Sequence, residues 1–209
     1  MDLIFFGMQG AGKGTLGRAV AARYNMQIFE TGAELRKLSQ EDSELGKKVK
    51  SIIEAGHLVS NEVVMEIVDN FMENHAGQSP ILFDGIPRKV EQANSLNALL
   101  DKHNRNYKGV LIEISKETAL RRLTTRRIDP VTKKVYPADY PGNVSEDGNE
   151  LVTRKDDNPE AIETRLNAFE NETVPAIELY QERMITIDGE PVIGEVEKTA
   201  LSTLDPIMQ

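Results

Sequence analysis

Leu3-Ile4-Phe5-Phe6 runs directly into Gly7-Met8-Gln9-Gly10-Ala11-Gly12-Lys13-Gly14-Thr15, and how this stretch is read decides the fold. A short apolar run, a glycine-rich turn and a helical pattern over residues 13–24 make a strand–loop–helix unit. Glycines let backbone N–H groups converge on phosphate oxygens, and the helix N-terminus adds the positive end of its dipole. Lys13 supplies a mobile positive charge for the β and γ phosphates of a nucleotide. A glycine-rich turn that binds nothing is the bland alternative; the strand before it and the lysine at its end argue against that. One position departs from the general pattern. Residue 14 is Gly, where a Ser or Thr usually offers its hydroxyl to Mg²⁺, and Thr15 comes one residue later. The expectation is therefore Mg²⁺ bound with ATP, with no direct protein ligand and with Asp84 placing its waters.

Outward from the loop, short apolar runs at 27–29, 81–83, 110–114 and 184–187 alternate with helical patterns at 45–55, 61–74, 89–102 and 116–127. Together with strand 3–6 this predicts an α/β three-layer sandwich around a five-stranded parallel sheet. A longer helix is expected where Ile162, Leu166, Phe169, Thr173, Ile177 and Tyr180 repeat at three and four, kinked at Pro175. Two segments interrupt the alternation. Residues 31–72 carry successive helix patterns without a clear strand. Residues 129–158 are rich in Pro and Gly, with turn signals at Pro141-Gly142 and Asp147-Gly148, and read as a loop-built mobile lid. Asp84 closes the run Ile81-Leu82-Phe83, at the carboxyl end of a strand, where open α/β sheets bind ligands. Capping a helix is the alternative for Asp84, and equally for Asp156 and Asp157 ahead of Asn158-Pro159.

The 209 residues suit one domain with insertions, and no run of apolar residues is long enough for a membrane span. Cysteine is absent, which excludes disulfides, thiolate metal sites and a cysteine nucleophile. His57, His75 and His103 are scattered, without ligand spacing. A net charge of −9 argues against nucleic-acid binding and makes basic clusters worth explaining. With no leader-like N-terminus and no apolar surface stripe, a cytoplasmic monomer is expected.

The loop variant Gly-x-x-Gly-x-Gly-Lys-Gly-Thr resembles that of the nucleoside monophosphate kinases, and among them the adenylate kinase family. The resemblance continues through Thr31-Gly32 with Leu35-Arg36, Gly56-His57-Leu58-Val59, Asp84-Gly85-Ile86-Pro87-Arg88 with Gln92, Arg122 with Arg126-Arg127, Arg154-Lys155-Asp156-Asp157, Arg165 and Asp188-Gly189. It implies reversible phosphoryl transfer from ATP to AMP, giving two ADP. It also implies a core of residues 1–30, 60–127 and 159–209, an AMP-binding insertion at 31–59 and a lid at 128–158. Lys13, Arg88, Arg122, Arg126, Arg154 and Arg165 would be catalytic. The donor site would comprise Gly10, Ala11, Gly12, Lys13, Gly14, Thr15, Arg122, Arg126, Tyr136, Pro191 and Val192. The acceptor site would comprise Thr31, Gly32, Arg36, Leu58, Val59, Gly85, Arg88 and Gln92, joined by Arg154 and Arg165. Arginines from separate segments suit a reaction catalysed by positioning and charge neutralisation, with little covalent chemistry for the protein.

Several positions depart from the family. Gln9 stands for the usual loop Pro, Ala33 for an Asp, Ile86 for a Phe and Asn61 for an acid. The lid places that hold cysteines in many relatives fall on Asp129, Thr132, Val144 and Asp147; Val144 cannot ligate, so structural zinc is not expected. Gln92 points to AMP, since a polar group aimed at one base edge rejects others. A UMP/CMP or broad-specificity kinase and a non-catalytic adenine-nucleotide sensor are the alternative readings. Arg121, Arg127, Lys133, Lys134 and Lys155 read as surface or supporting charge.

Overall fold

In the computed structural model, residues 1–54, 59–75, 79–132, 134–137, 140–154 and 157–208 are described, apart from the side chains of Arg36, Ile53 and Glu54. The five anticipated strands are all present: β1 (Asp2–Gly7), β2 (Gln27–Glu30), β3 (Ile81–Asp84), β4 (Tyr107–Glu113) and β7 (Met184–Asp188). They pair in parallel in the order β2-β3-β1-β4-β7. β1 is central because it is apolar on both faces, as a covered parallel strand must be. Its side chains alternate. Leu3 and Phe5 enter a core with Leu16 and Val20 of α1 (Lys13–Tyr24) and with Val196, Ala200 and Leu204 of α9 (Ile193–Met208). Ile4 and Phe6 enter the opposite core, against α4 (Asn61–Asn74), α5 (Val90–Lys102) and α8 (Val174–Glu178). That period of two produces the three layers. α2 (Thr31–Leu38) and α3 (Glu44–Glu54) follow β2, so the run of helix patterns without a strand is as read.

Four boundaries differ from expectation. β4 starts at Tyr107, not 110, because Tyr107, Lys108 and Gly109 pair with Asp2, Leu3 and Ile4 despite their weak strand character. The helix expected over 116–127 ends earlier, as α6 (Lys116–Thr125). Arg127–Ile128 instead forms β5, antiparallel to β6 (Val135–Tyr136), with bridges Ile128↔Val152 and Val144↔Glu150. The expected loop-built lid is thus a small β unit. The anticipated long helix is α7 (Pro159–Ala168), a wide turn at Phe169–Thr173 and α8. In that turn the Val174 N–H reaches back five residues to the Phe169 carbonyl. Pro175 has no N–H to continue the ordinary ladder, which explains a break there rather than a simple kink.

This small β unit is held by polar groups around a buried carboxylate. Asp129 Oδ1 accepts from the N–H groups of Val131 (2.8 Å) and Thr132 (3.1 Å), and Oδ2 accepts from Asn149 Nδ2 (3.0 Å). Burial pushes this carboxyl upward, but the bonds from Asn149, Val131, Thr132 and Ser145 outweigh it and hold the group well below its ordinary range. Its side-chain partners are Asn149 and Ser145, while Val144 is exposed. Arg127 fastens the turn through Gly142 O (2.6 Å), Asn143 Oδ1 (2.7 Å) and Tyr140 O (2.9 Å), a supporting role as read. Gly142 (φ 80°) and Gly148 (φ 81°) occupy the left-handed region their turns require.

Candidate functional site

The strand order reverses beside β1, with β3 and β2 on one side and β4 and β7 on the other. Ligands bind outside the carboxyl ends of strands at such a switch point. Here those ends carry Gly7, Asp84 and Asp188. Gly10 (φ 87°) and Gly12 (φ 91°) give the loop a curvature that L side chains resist, and α1 begins at Lys13. A Cβ at Gly7 would stand 2.7 Å from the Ile112 carbonyl oxygen, so the loop must leave β1 on a glycine. Lys13 Nζ donates to Gly7 O (2.6 Å) and Met8 O (3.2 Å). Burial pushes this ammonium down to about 8; Asp84 works against that, while Arg88 and Arg126 add to it.

On the side of α6, Arg122 Nη2 donates to the carbonyls of Gly189 (2.8 Å), Glu190 (3.1 Å) and Pro191 (3.2 Å). Its Nη1 reaches Gly10 O at 3.4 Å. The side chain thereby ties the segment after β7 to the phosphate loop. Val192 and Ile193 lie exposed beside it, with Ile193 Cδ1 3.7 Å from the place of a Cβ on Gly12. Glu190 supports the same junction, accepting from Ser115 N–H (2.5 Å) and Thr118 Oγ1 (2.6 Å), which pulls it down to about 2. No motif singled Glu190 out; its place directly after Asp188-Gly189 was the available signal.

Arg126 and Arg165 converge on one carboxylate. Asp157 Oδ1 accepts from Arg126 Nη2 (2.6 Å) and Arg165 Nη2 (2.9 Å), and Oδ2 accepts from Arg126 Nε (2.8 Å). Burial raises the Asp157 carboxyl, but the bonds from Arg126 and Arg165 more than offset it and hold the group low. The helix cap is Asn158, whose Oδ1 accepts from Ala161 N–H, so Asp157 is the organiser of two arginines instead. Arg154 is exposed just after the Val152 bridge. Tyr136 of β6 is buried, with its hydroxyl on Glu146 and its ring edge-on to Tyr140.

Across β1, Asp84 pairs with Phe5 in the sheet and brings the segment after β3 beside the loop. Arg88 Nε donates to Gly85 O (2.9 Å) and its N–H to Gln92 Oε1 (2.8 Å). Its carbonyl accepts from Thr173 Oγ1 (3.0 Å), so the wide turn before α8 anchors it. Gly85 (φ 84°) lies close to Thr31, whose Oγ1 is buried without a partner among the described residues. A cavity of about 220 Å³ opens here, lined by Gly14, Gly17, Arg18, Ile28, Glu30, Ala33, Glu34, Leu82 and Asp84. Gly32 lies in α2, and Val59 packs against the core on the α4 side. Leu58 and the side chain of Arg36 lie outside the described residues, as do Gly56, His57, Lys133, Lys155 and Asp156.

Elsewhere, His103 Nε2 and Lys102 Nζ both lie 2.6 Å from Asp69, with Glu73 close by. Sequence spacing gave no hint of that grouping. Among the described residues, no helix is long and apolar enough to cross a membrane.

A glycine-rich loop between a central parallel strand and its helix, faced by arginines from α6, α7 and the segment after β3, defines a P-loop nucleotide phosphotransferase. A family model described as Adenylate kinase matches residues 5–185. An adenylate kinase of Staphylococcus aureus (strain Mu50) is 34% identical, over 98% of this chain and 99% of its own length. Those of Shouchella clausii and Listeria innocua are each 36% identical, covering 90% and 94% of this chain and 91% and 95% of their own. The chain belongs to the adenylate kinase family.

Proposed function

We propose that the chain transfers the γ-phosphoryl group of ATP to AMP, reversibly, giving two ADP. An oxygen of the AMP phosphate bonds to the γ-phosphorus as the bond from that phosphorus to the β-bridging oxygen breaks. ADP leaves with the electron pair. One observation carries this reading: the Lys13 ammonium lies within electrostatic reach of both Arg126 and Arg88, cations from opposite sides of β1. Positive charge gathered from both sides is what neutralising a phosphoryl group in flight requires.

On the donor side, Gly10, Ala11, Gly12, Gly14 and Thr15 would cradle the phosphates, and exposed Val192 beside Pro191 offers apolar surface for a base. Arg122, Arg126, Arg154 and Arg165 would neutralise the phosphates and the group in transfer. On the acceptor side, Arg36 and Arg88 would clamp the monophosphate, with Thr31, Gly32, Leu58, Val59, Gly85 and Gln92 around the nucleoside. The unpartnered Thr31 hydroxyl supports this, because a buried hydroxyl without a bond is costly until a ligand supplies one. Gln92, fixed through Oε1, keeps Nε2 for a base edge. Residues 31–59 and 128–158 would close over AMP and ATP, excluding water that would otherwise take the phosphoryl group.

Magnesium fits the acceptor-side cavity. Asp84 Oδ2 comes within 3.8 Å of a Cβ placed on Gly14, and Glu30 and Glu34 line the same space. Oxygen donors with room for water suit an ion that keeps most of its hydration shell. Asp84 would hold it through water; when bound, Mg²⁺ neutralises charge on the β and γ phosphates. The test is ADP formation from ATP and Mg²⁺ with AMP, GMP, CMP or UMP. AMP is expected to be strongly preferred. Comparable use of UMP or CMP would favour a pyrimidine or broad-specificity kinase, and no ADP with any acceptor would refute the enzyme.

A further inference from the structure

The phosphate loop contains a polar group that the reading above leaves unused. Gln9 Oε1 is shut off from solvent and has no hydrogen-bond partner among the described residues. Orphaning a buried carbonyl oxygen is costly, and such a group calls for an explanation. Among the described residues, the nearby cations are already engaged. Lys13 Nζ is taken by Gly7 O and Met8 O, Arg122 by the carbonyls after β7 and Gly10 O, and Arg126 by Asp157. Those partners bracket Gln9: Met8 O accepts the lysine on one side and Gly10 O accepts Arg122 on the other. Met8 packs on Ala119, Leu123, Ile162 and Leu166 of α6 and α7, the layer carrying Arg126 and Arg165. Gln9 thus sits in the turn between the carbonyls that hold Lys13 and Arg122. Related loops usually place Pro here, which has no side-chain donor or acceptor.

A carboxamide offers two donors on Nε2 and acceptor positions on Oε1. Phosphate oxygens can take only the donors; Oε1 needs an N–H from a cation. Both kinds of partner arrive together when phosphates draw Lys13 and the arginines off their resting carbonyls and carboxylate. We propose that Gln9 contacts the transferring phosphoryl group itself, Nε2 donating to one of its oxygens while Oε1 accepts from a guanidinium gathered on the same group. The inference rests on the kinase reading. It makes Gln9 a seventh side chain at the reaction centre, one that adds no charge and fixes the relative placement of anion and cation. Such a contact tightens as charge spreads over the phosphoryl oxygens, so it acts on turnover more than on binding.

The experiment compares Gln9→Met, Gln9→Ala and Gln9→Glu with wild type in steady-state ADP formation, with thermal unfolding of each. Gln9→Met keeps length and packing but loses both polar groups. For Met and Ala, kcat is expected to fall about 10- to 100-fold, the range of one hydrogen bond to a charged group, with KM for ATP within about twofold. Gln9→Glu carries a charge that repels the phosphoryl group at pH 8. When protonated it again offers a donor and an acceptor, so its kcat relative to wild type should climb as pH falls towards about 5.5. A filler role would produce neither the kcat loss in Met nor the pH-dependent recovery in Glu. Wild-type kcat in folded Gln9→Met, or a loss confined to KM, would overturn the proposal. A wild-type chain that forms no ADP would overturn the kinase reading and this inference with it. That outcome is distinct from variants matching an active wild type.

Discussion

Binding ATP should take up a proton through Lys13, because burial in the ligand-free site brings that ammonium's titration close to neutral pH. Burial brings it from 10.5 down to about 8, with Arg88 and Arg126 contributing and Asp84 opposing. That gap corresponds to a cost of a few kcal/mol for the protonated buried state relative to water. The folded pKa lies below the unfolded one, so between pH 8 and 10.5 the unfolded chain holds more proton. The cost of the buried charge is therefore full below about pH 8 and is relieved as pH rises through that window. Triphosphate oxygens beside Nζ favour the charged form and restore its pKa. Complex formation should then take up ~0.1 proton at pH 7, ~0.5 at pH 8 and ~0.9 at pH 9, and ATP affinity should weaken ~10-fold from pH 7 to 9. Titration calorimetry at pH 8 in two buffers of different ionisation enthalpy reads the uptake directly. Lys13→Met should abolish it, lower turnover at least ~100-fold and leave the ligand-free fold no less stable at pH 7, since it removes a buried charge. Uptake below ~0.1 at pH 8, or equal uptake in Lys13→Met, would refute the reasoning.

Asp157→Ala leaves Arg126 and Arg165 without their shared carboxylate and should cost ~3–5 kcal/mol in urea unfolding of the free chain. A diadenosine polyphosphate spanning both sites should recover much of it; an undiminished deficit in the complex would separate these arginines from phosphate. Arg88→Ala should lower turnover by roughly 100-fold while thermal unfolding stays near wild type, since the side chain's own bond is one contact to Gly85 O. Activity near wild type would remove Arg88 from the site. In the lid, Asp129→Ala should raise proteolytic cleavage within residues 128–154 without changing core hydrogen exchange. The Asp129 carboxyl is held below 3.8, so its contribution should stay constant from pH 7 down to about 4 and fade only in stronger acid. Lid cleavage that rises already at pH 5 would contradict that assignment.

Local patterns were enough for much of the architecture. The central strand Leu3–Phe6 had to be buried on both faces, and the glycines at 7, 10 and 12 had to make a tight turn ahead of a helix. Those features depend on residues within a few positions of one another, which is why sequence alone carried the five strands, the phosphate loop and the family resemblance. Helix ends were harder. Thr125 and Arg127 are compatible with helix by propensity, and only pairing with Val135 and Tyr136 turned Arg127–Ile128 into a strand.

What only the tertiary structure decided was which polar group meets which. Asp2 carries no motif in the sequence; it is buried, accepting from Ile81 N–H (2.8 Å) and from Arg105 Nη2 (2.8 Å), 103 positions away. Asp157 reads as a helix cap, yet Asn158 takes that role and Asp157 gathers arginines from two helices. Gln9 reads as a departure from the usual loop Pro, and only the fold encloses its oxygen. Side-chain charge and hydrogen-bonding capacity are written in the sequence. Burial and partner choice are set by segments far apart in the chain, and these fix both the lysine's proton affinity and the grouping of its arginines.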